Sequence, residues 1–251
     1  MKMKRQRKTK PHRTAVKNVQ AVAQTVLGQV YVMSNYILKY SRDERVRYIS
    51  HLDFIRTFHR AVRRTDLEMS FSQGFNPHPV MTVAMPLSVG ITSDCEYIKI
   101  GFEGDYSCDE IKDKLNASFP PGFKIEAVAK AEGKKYDFAK LNKAVYQVEV
   151  ECNDTAKFDA DAFMKNTQLK VMKKSKSGVK EADIRPYIYE FSAEVIDSVK
   201  MKLSMCIAAG NDYNLKVDSV IDAMAKYTDG LEVEFFCTHR AKILAGDKEL
   251  M

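Results

Sequence analysis

Hydrophobic residues recur with two different spacings along this chain, and the two spacings alternate. Runs in which apolar and polar residues take turns predict strands, whereas apolar residues three and four positions apart predict helices. In the first half, strands are predicted at 36–40, 80–87, 96–102 and 123–129, with helices from residue 50 and over 107–119. In the second half, strands are predicted at 144–152, 184–191, 195–208 and 231–237, with helices over 159–169 and 215–227. Each half therefore has the order strand–helix–strand–strand–helix–strand.

That order, met twice, is the order of a ferredoxin-like module. We therefore predict an α+β protein made of two tandem ferredoxin-like (βαββαβ) modules with antiparallel sheets. The first module is placed at residues 36–131 and the second at 143–249, and the charged stretch between them is interpreted as a linker. The basic stretch 170–180 is expected to be a flexible loop. Pro186 makes the strand that contains it an edge strand, because proline cannot donate a ladder hydrogen bond.

The first predicted helix carries the densest group of candidate residues. Ser50 and Asp53 have the spacing of a capping box, which explains both without a catalytic role. Helical spacing predicts a core-facing side formed by Leu52, Ile55, Phe58 and Val62. The opposite side carries a row of cations formed by Arg56, His59, Arg60 and Arg63. Such a row is either a solvated helix face or a surface that binds an anion or RNA, since arginine suits bidentate phosphate binding.

The distribution of charge along the chain limits where nucleic acid could bind. The net charge is +7, but residues 1–20 hold eight lysines and arginines and no acid, so the rest is nearly neutral. Residues 1–35 are interpreted either as a basic arm that touches nucleic acid or as translated sequence upstream of a start at Met33 instead of Met1. Any cationic surface on the body of the protein must therefore be local.

Cysteine usage and hydropathy place the protein in a broad class. The five cysteines are scattered, with no CxxC pair and no CxxxCxxC triplet, so neither a zinc site, a disulfide framework nor a radical-type iron–sulfur cluster is indicated. Reduced thiols are typical of a cytoplasmic protein. No stretch approaches the ~18 apolar residues of a membrane span, so no membrane association is expected.

Two further segments carry candidate site residues. In the stretch 74–79, Pro77 and Pro79 fix φ and push the preceding Asn76 and His78 to extended geometry. This stiffness predicts a preorganised site that presents Asn76 and His78, the alternative being a rigid loop packed by neighbouring phenylalanines. Asp183 and Arg185 occupy the corresponding place in the second half, and they would either face the same cleft as His78 or form an internal pair. His51 in the first helical turn is the other candidate for proton transfer.

These motifs carry a resemblance. The combination Ser50-His51-Leu52-Asp53, Gly74-Phe75-Asn76-Pro77-His78-Pro79 and Pro86-Leu87-Ser88-Val89-Gly90 is similar to the radical-SAM-linked protein family, and residues 183–188 resemble its second motif. That family is a bacterial domain of unknown function that is fused to a radical-SAM enzyme domain or encoded beside one. The resemblance implies a radical-SAM protein as partner, which would hold S-adenosylmethionine and the iron–sulfur cluster, with no cofactor in this chain.

Three functions remain open on the sequence. The first is an accessory or substrate-recognition protein that binds RNA through Arg56, His59, Arg60, Arg63, Asn76 and His78, with Asp183 and Arg185 in the same cleft. The second is a metal-independent endoribonuclease of tandem ferredoxin-like layout in which His51 or His78 is the general base. The third is a structural docking partner. Whether the chain is an enzyme is not decided by its residues.

Overall fold

Alternating apolar and polar residues place most of this chain in strands. The computed structural model describes residues 24–26, 29–31, 33–132, 136–175 and 178–251. Within them, the strands are β1 (Gln24–Val26), β2 (Gln29–Tyr31), β3 (Met33–Arg42), β4 (Met81–Val83), β5 (Ile91–Glu103), β6 (Phe123–Lys130), β7 (Lys143–Cys152), β8 (Lys170–Ser175), β9 (Gly178–Asp183), β10 (Ile188–Val195), β11 (Lys200–Ala208), β12 (Val233–Ala245) and β13 (Lys248–Glu249). The α-helices are α1 (His51–Arg63), α2 (Cys108–Ser118), α3 (Ala160–Lys165) and α4 (Val217–Tyr227).

Nine of these strands form one continuous sheet. Its order is β10-β11-β7-β12-β5-β3-β6, with β4 beside β5 and β13 beside β12. The strands of the first half therefore lie in the order β4-β5-β3-β6, and those of the second half in the order β10-β11-β7-β12. Neighbouring strands of this sheet are antiparallel except β12 and β5, which run parallel with Thr238 opposite Ile91. The mixed α+β class is confirmed, with a mostly antiparallel sheet.

The joining of the two halves differs from the prediction of separate antiparallel sheets. The last long strand was predicted to end at residue 237, but β12 continues to Ala245. Its residues from Thr238 onward pair with the start of β5, while β4 pairs with the end of β5. Because β5 is long enough to take both neighbours on one edge, a single sheet crosses the boundary between the halves.

Each half has its helices packed on one face of its strands. In the first half, α1 and α2 cover a core that includes Tyr36, Leu38, Phe54, Phe58, Ile98, Ile100, Ile111, Leu115 and Ile125. In the second half, α3 and α4 cover a core that includes Tyr146, Val148, Val150, Phe163, Met201, Leu203, Val220, Ile221 and Met224. Phe54 and Phe58 are almost entirely buried, and each such burial contributes about 1.5–3 kcal/mol.

The other face of the first half is also covered. Ile37, Cys95, Tyr97 and Ile243 are buried there with Leu141 of the segment that connects the halves. Partly buried residues from the same connection and from the end of the chain pack over them, namely Tyr136, Phe138, Leu250 and Met251. The connection predicted as a free linker is therefore part of a core where it is described.

The core-facing side of helix α1 differs from the prediction at one residue. Ser50 caps the helix as predicted, and Phe58 and Val62 are buried. Leu52 was predicted to face the core, but it is one of the most exposed apolar residues of the described chain. The buried row instead starts at Phe54, because Leu52 lies two residues earlier and two residues rotate a helix by about 200°.

Three further element predictions change. The stretch 170–180, expected to be a loop, contributes to the hairpin of β8 and β9, in which the buried Val171 packs against the second core. The first strand of the sheet begins at Met33 rather than at residue 36. Of the predicted tail 1–35, residues 24–26 and 29–31 pair as the short hairpin of β1 and β2, and residues 1–23 lie outside the described residues. Strand β10 lies at one end of the sheet order, as expected for an edge strand, but it begins at Ile188, so Pro186 precedes it in a short 3-10 helix (Arg185–Tyr187) instead of lying within it.

Candidate functional site

The start of α1 is explained by capping. The Ser50 hydroxyl accepts a hydrogen bond from the backbone N–H of Asp53 at 3.2 Å and donates one to the Asp53 carboxylate at 2.8 Å. Arg56 also donates to that carboxylate at 3.0 Å. These contacts, Ser50 first and Arg56 second, lower the pKa of Asp53 below its usual value. Ser50 and Asp53 are thus engaged with each other, and the half-buried His51 lies between them in the chain as the first helical residue.

The predicted row of cations on α1 divides into residues with different environments. Arg56 is paired with Asp53. His59 is half-buried, its Nε2 is buried without a hydrogen-bond partner among the described residues, and burial together with Arg63 lowers its pKa. Arg60 and Arg63 are exposed, and no carboxylate of the described residues lies within ion-pair distance of either. Two arginines one helical turn apart therefore remain available to an external anion.

The stiff proline-rich segment forms a closed, exposed loop. Ser72 N–H donates to the His78 carbonyl at 2.7 Å, and His78 N–H donates to the Ser72 hydroxyl at 2.9 Å. Gly74 sits between them at φ 147°, in the region that favours glycine. Phe75 is fully exposed at the end of the loop, so the alternative of a loop packed by its phenylalanines is wrong. The side chains of Asn76 and His78 are exposed on this loop.

Asp183 and Arg185 lie together, but their contacts are local. The Arg185 guanidinium donates to the Met164 carbonyl at 3.1 and 2.9 Å and to the Ile188 carbonyl at 3.1 Å. The Asp183 carboxylate accepts from the backbone N–H groups of Leu169 at 2.8 Å and Arg185 at 3.0 Å. No contact among the described residues joins either side chain to the loop of His78. Their geometry holds the start of β10 to the end of α3.

A cleft lies between the two halves, away from all of these residues. It has a volume of about 480 Å³. One wall is the loop 84–91, which contains the Pro86-Leu87-Ser88-Val89-Gly90 motif, and the other is the segment 210–218 that leads into α4. The floor is formed by β7 and β12 through Tyr146, Phe236, Thr238 and Arg240. The junction of the two halves thus provides a concave site of the size of a small ligand.

A buried ion pair forms part of the cleft floor. Arg240 donates through Nε and Nη2 to the Glu96 carboxylate at 2.8 and 2.6 Å, and through Nη2 to the Met85 carbonyl at 2.8 Å. The Arg240 side chain is 4% exposed and that of Glu96 is 0% exposed. Burial alone would lower the pKa of Arg240, but the Glu96 carboxylate outweighs burial and raises that pKa well above its usual value. The pair connects β12 of the second half to β5 and the loop of the first.

The rim of the cleft is polar. Lys216 precedes α4 as its N-cap residue and makes no side-chain capping hydrogen bond. Asp218, Asn211 and Asn214 stand with it along the same wall. The rim can therefore offer an ammonium group, a carboxylate and amide groups to a polar ligand. Sequence reasoning pointed to this place only through the Pro86–Gly90 motif; Tyr146, Lys216 and Arg240 lie on ordinary-looking elements and gave no signal.

Comparison with known protein families shows which family this chain matches. The model of DUF2344, described as an uncharacterized protein conserved in bacteria, matches residues 35–217. The chain belongs to this family. The matched region of the DUF2344 protein includes α1, the loop with Phe75, the first wall of the cleft and the second wall up to Val217, the first residue of α4.

Solved structures add only distant likenesses. A chain of a Cbf5-Nop10-Gar1 complex is similar over 83% of this chain, with 8% identity and a TM-score of 0.45, and this chain spans about half of its length (48%). An unknown protein from Galdieria sulphuraria is similar over 83% of this chain and 98% of its own, with 11% identity and a TM-score of 0.24. No curated protein matches. In the described part of the chain, no helix has the length and apolar character needed to cross a bilayer.

Proposed function

We propose that this DUF2344 protein is a recognition component that works with a radical-SAM enzyme. Its support is the family membership together with the motifs that resemble radical-SAM-linked proteins. Because the sequence has no CxxxCxxC triplet, S-adenosylmethionine and the iron–sulfur cluster belong to the partner in this proposal. All five cysteines are free thiols, which fits a cytoplasmic location.

We also interpret the two halves as two ferredoxin-like modules. The strand orders β4-β5-β3-β6 and β10-β11-β7-β12 place equivalent strands in equivalent positions, with the hairpin of β8 and β9 as an insertion in the second half. Each half also packs both of its helices on one face of its strands. These features support the interpretation, and they make the cleft a junction between modules.

The ligand proposed for the exposed face of α1 is RNA. The observation that carries this is the pair Arg60 and Arg63, which are exposed and have no carboxylate partner among the described residues. Residues three apart on a helix are neighbours on its surface, so the two guanidinium groups can act together on a phosphate backbone. The fully exposed Phe75 offers an aromatic face of the kind on which single-stranded bases stack.

The test is fluorescence anisotropy of a labelled single-stranded RNA oligonucleotide with the full chain at several salt concentrations. We expect binding that weakens as salt rises, because phosphate contacts release counterions. The double variant Arg60→Glu with Arg63→Glu should bind at least about tenfold more weakly and show a smaller salt slope. The matched control, Lys140→Glu with Lys165→Glu, changes the same charge at exposed positions of the connection and of α3, and should bind like the wild type.

Two results would contradict the RNA proposal. One is the absence of binding at low salt, and the other is an equal loss in both double variants, which would reflect net charge alone. The partner proposal is tested separately by co-purification of the chain with a co-expressed radical-SAM protein. If that complex forms and survives Arg60→Glu with Arg63→Glu, docking is independent of the arginine pair. If no complex forms, the partner proposal is wrong whatever the RNA result.

A further inference from the structure

Strand β10 forms an open edge of the large sheet. It lies at one end of the strand order and pairs with β11, from Ile188 opposite Ile207 to Val195 opposite Met201. No other strand of the described chain forms backbone hydrogen bonds to its outer side. The N–H and C=O groups along that side are therefore available to a further strand.

The other edge strands of this sheet have features that oppose strand addition, and β10 does not. Strands β4 and β13 have three and two residues. Strand β6, at the opposite end of the order, carries Lys124 and Lys130, and both lysines form ion pairs. Short length and lysines are two ways in which proteins protect an edge from pairing. Strand β10 has eight residues without lysine, arginine or proline, and its pairing with β11 is regular from Glu190 to its end.

Exposed apolar side chains accompany this edge. Val195 and Ile196 are 60% and 59% exposed, and Val199 at the end of the same turn is 43% exposed. Beside them lies a groove of about 350 Å³ between the start of α3 and the strands β10 and β11. Its apolar lining is formed by Phe158, Ala160, Phe191, Ala193, Val195 and Met201. Apolar surface beside an open strand edge is typical of a surface that another chain covers.

The charges at this edge are negative. Glu190 and Glu194 are exposed and lie an even number of residues apart on β10, so their side chains share one face of the sheet. Neither forms an ion pair with a described residue, although Lys202 stands opposite Glu194 in the register. The charged residues that line the groove on the other face, Asp159 and Asp161, are also acids. A strand added to β10 would therefore meet two carboxylates on one face and an apolar groove on the other.

We propose that β10 is a docking strand for an extended segment of a partner protein in which apolar and basic residues alternate. Successive side chains of a strand point to opposite faces, so such a segment presents one apolar and one basic face. Its apolar residues enter the groove beside Phe191, and its basic residues face Glu190 and Glu194. Hydrogen bonds between the two main chains supply affinity, and the groove and the carboxylates supply specificity.

A second copy of the chain and RNA fit this edge less well. Antiparallel pairing of two copies centred on Ser192 would set Glu190 of each copy opposite Glu194 of the other, and like charges directly opposite each other are destabilising. RNA would meet carboxylates where its phosphates need cations. Docking at β10 does not depend on the RNA proposal, because β10 belongs to the second half and the arginines of α1 belong to the first.

The probe is a short fluorescein-labelled peptide in which lysine and valine alternate. We expect its anisotropy to rise when the full-length chain is added. A peptide of the same composition with all lysines before all valines should bind at least about tenfold more weakly, because it cannot present two different faces. Glu190→Lys with Glu194→Lys should weaken binding of the alternating peptide at least about tenfold. The matched control, Asp109→Lys with Asp113→Lys, makes the same charge change at exposed positions of α2 and should bind like the wild type.

Hydrogen exchange locates the bound peptide on the wild-type chain, so this measurement needs no variant that folds. Strand addition should slow exchange of backbone amides within residues 188–195, because outward N–H groups become hydrogen-bonded, and should leave residues 123–130 of β6 unchanged. The absence of binding, or binding without slower exchange at 188–195, would overturn the proposal. So would a chain that dimerises in sedimentation and becomes monomeric with Glu190→Lys and Glu194→Lys, because a second copy would then occupy the edge.

Discussion

Replacing Glu96 by glutamine tests how strongly the two halves depend on their buried ion pair. The substitution keeps the shape of the side chain and removes its charge. Arg240 cannot lose its proton, so it would remain as a buried cation with the Met85 carbonyl and one amide oxygen as acceptors. In Glu96→Gln one carboxylate oxygen, which accepts hydrogen bonds from the Arg240 guanidinium, is replaced by an amide NH₂ group. That NH₂ group is itself a donor, so it cannot accept from the guanidinium.

The magnitude follows from the burial of both partners. The side chains are 4% and 0% exposed, so water cannot replace the lost carboxylate. Breaking a buried pair by removing one partner costs about 3–5 kcal/mol. For a chain of this size each kcal/mol lowers the unfolding midpoint by about 2–4 °C, so Glu96→Gln should lower it by roughly 6–20 °C.

The assay is urea and thermal unfolding followed by circular dichroism. The matched control is Glu151→Gln, which removes one partner of the half-exposed pair with Lys200 and should leave the midpoint nearly unchanged. The double variant Glu96→Met with Arg240→Met removes both charges and should be more stable than Glu96→Gln. The reasoning fails if Glu96→Gln costs less than about 1 kcal/mol, or if the double variant is destabilised by the sum of the single effects.

Two other outcomes are expected. Burial lowers the pKa of His59, so the folded state binds fewer protons than the unfolded state, and stability is lost as pH falls from about 7.5 to about 5.5 through the unfolded-state pKa. His59→Leu should reduce that loss in urea unfolding, and an unchanged pH dependence would contradict the assignment. Phe75→Ala should change the free energy of unfolding by less than about 0.5 kcal/mol, because the ring touches solvent only. It should weaken RNA binding by about 1 kcal/mol or more if the ring stacks on a base, and equal anisotropy curves would exclude that role.

Local sequence determined the helices and their caps. Ser50 and Ser107 each accept a hydrogen bond from the backbone N–H three residues on, as the spacing of polar residues predicted. The alternation of apolar residues likewise located β7 and β11, whose buried positions line the second core. These features depend on neighbours within a few positions, and such neighbours are visible in the sequence.

The candidate residues on α1 and on the proline-rich loop were also found from local pattern. The sequence could not say which of them would be available to a ligand. One ring nitrogen of His59 is buried, and Arg56 forms an ion pair. Arg60 and Arg63 are exposed without a carboxylate partner among the described residues. These differences come from the packing of the helix. Asp183 and Arg185 were predicted either to face the same cleft as His78 or to form an internal pair, and the structure shows both side chains bonded to backbone groups of their own half.

The sites formed by β5 and β12 were decided by the tertiary structure alone. Glu96 and Arg240 are 144 residues apart, and Thr92 and His239 are 147 apart. No local periodicity links such residues, because each has the spacing of an ordinary strand position. They meet only because β12 runs on past its predicted end and pairs in parallel with β5. The sequence by itself therefore determined most of the elements and the capped helix with its cations, whereas sheet assembly determined the cleft, the buried ion pair and the contact of Thr92 with His239.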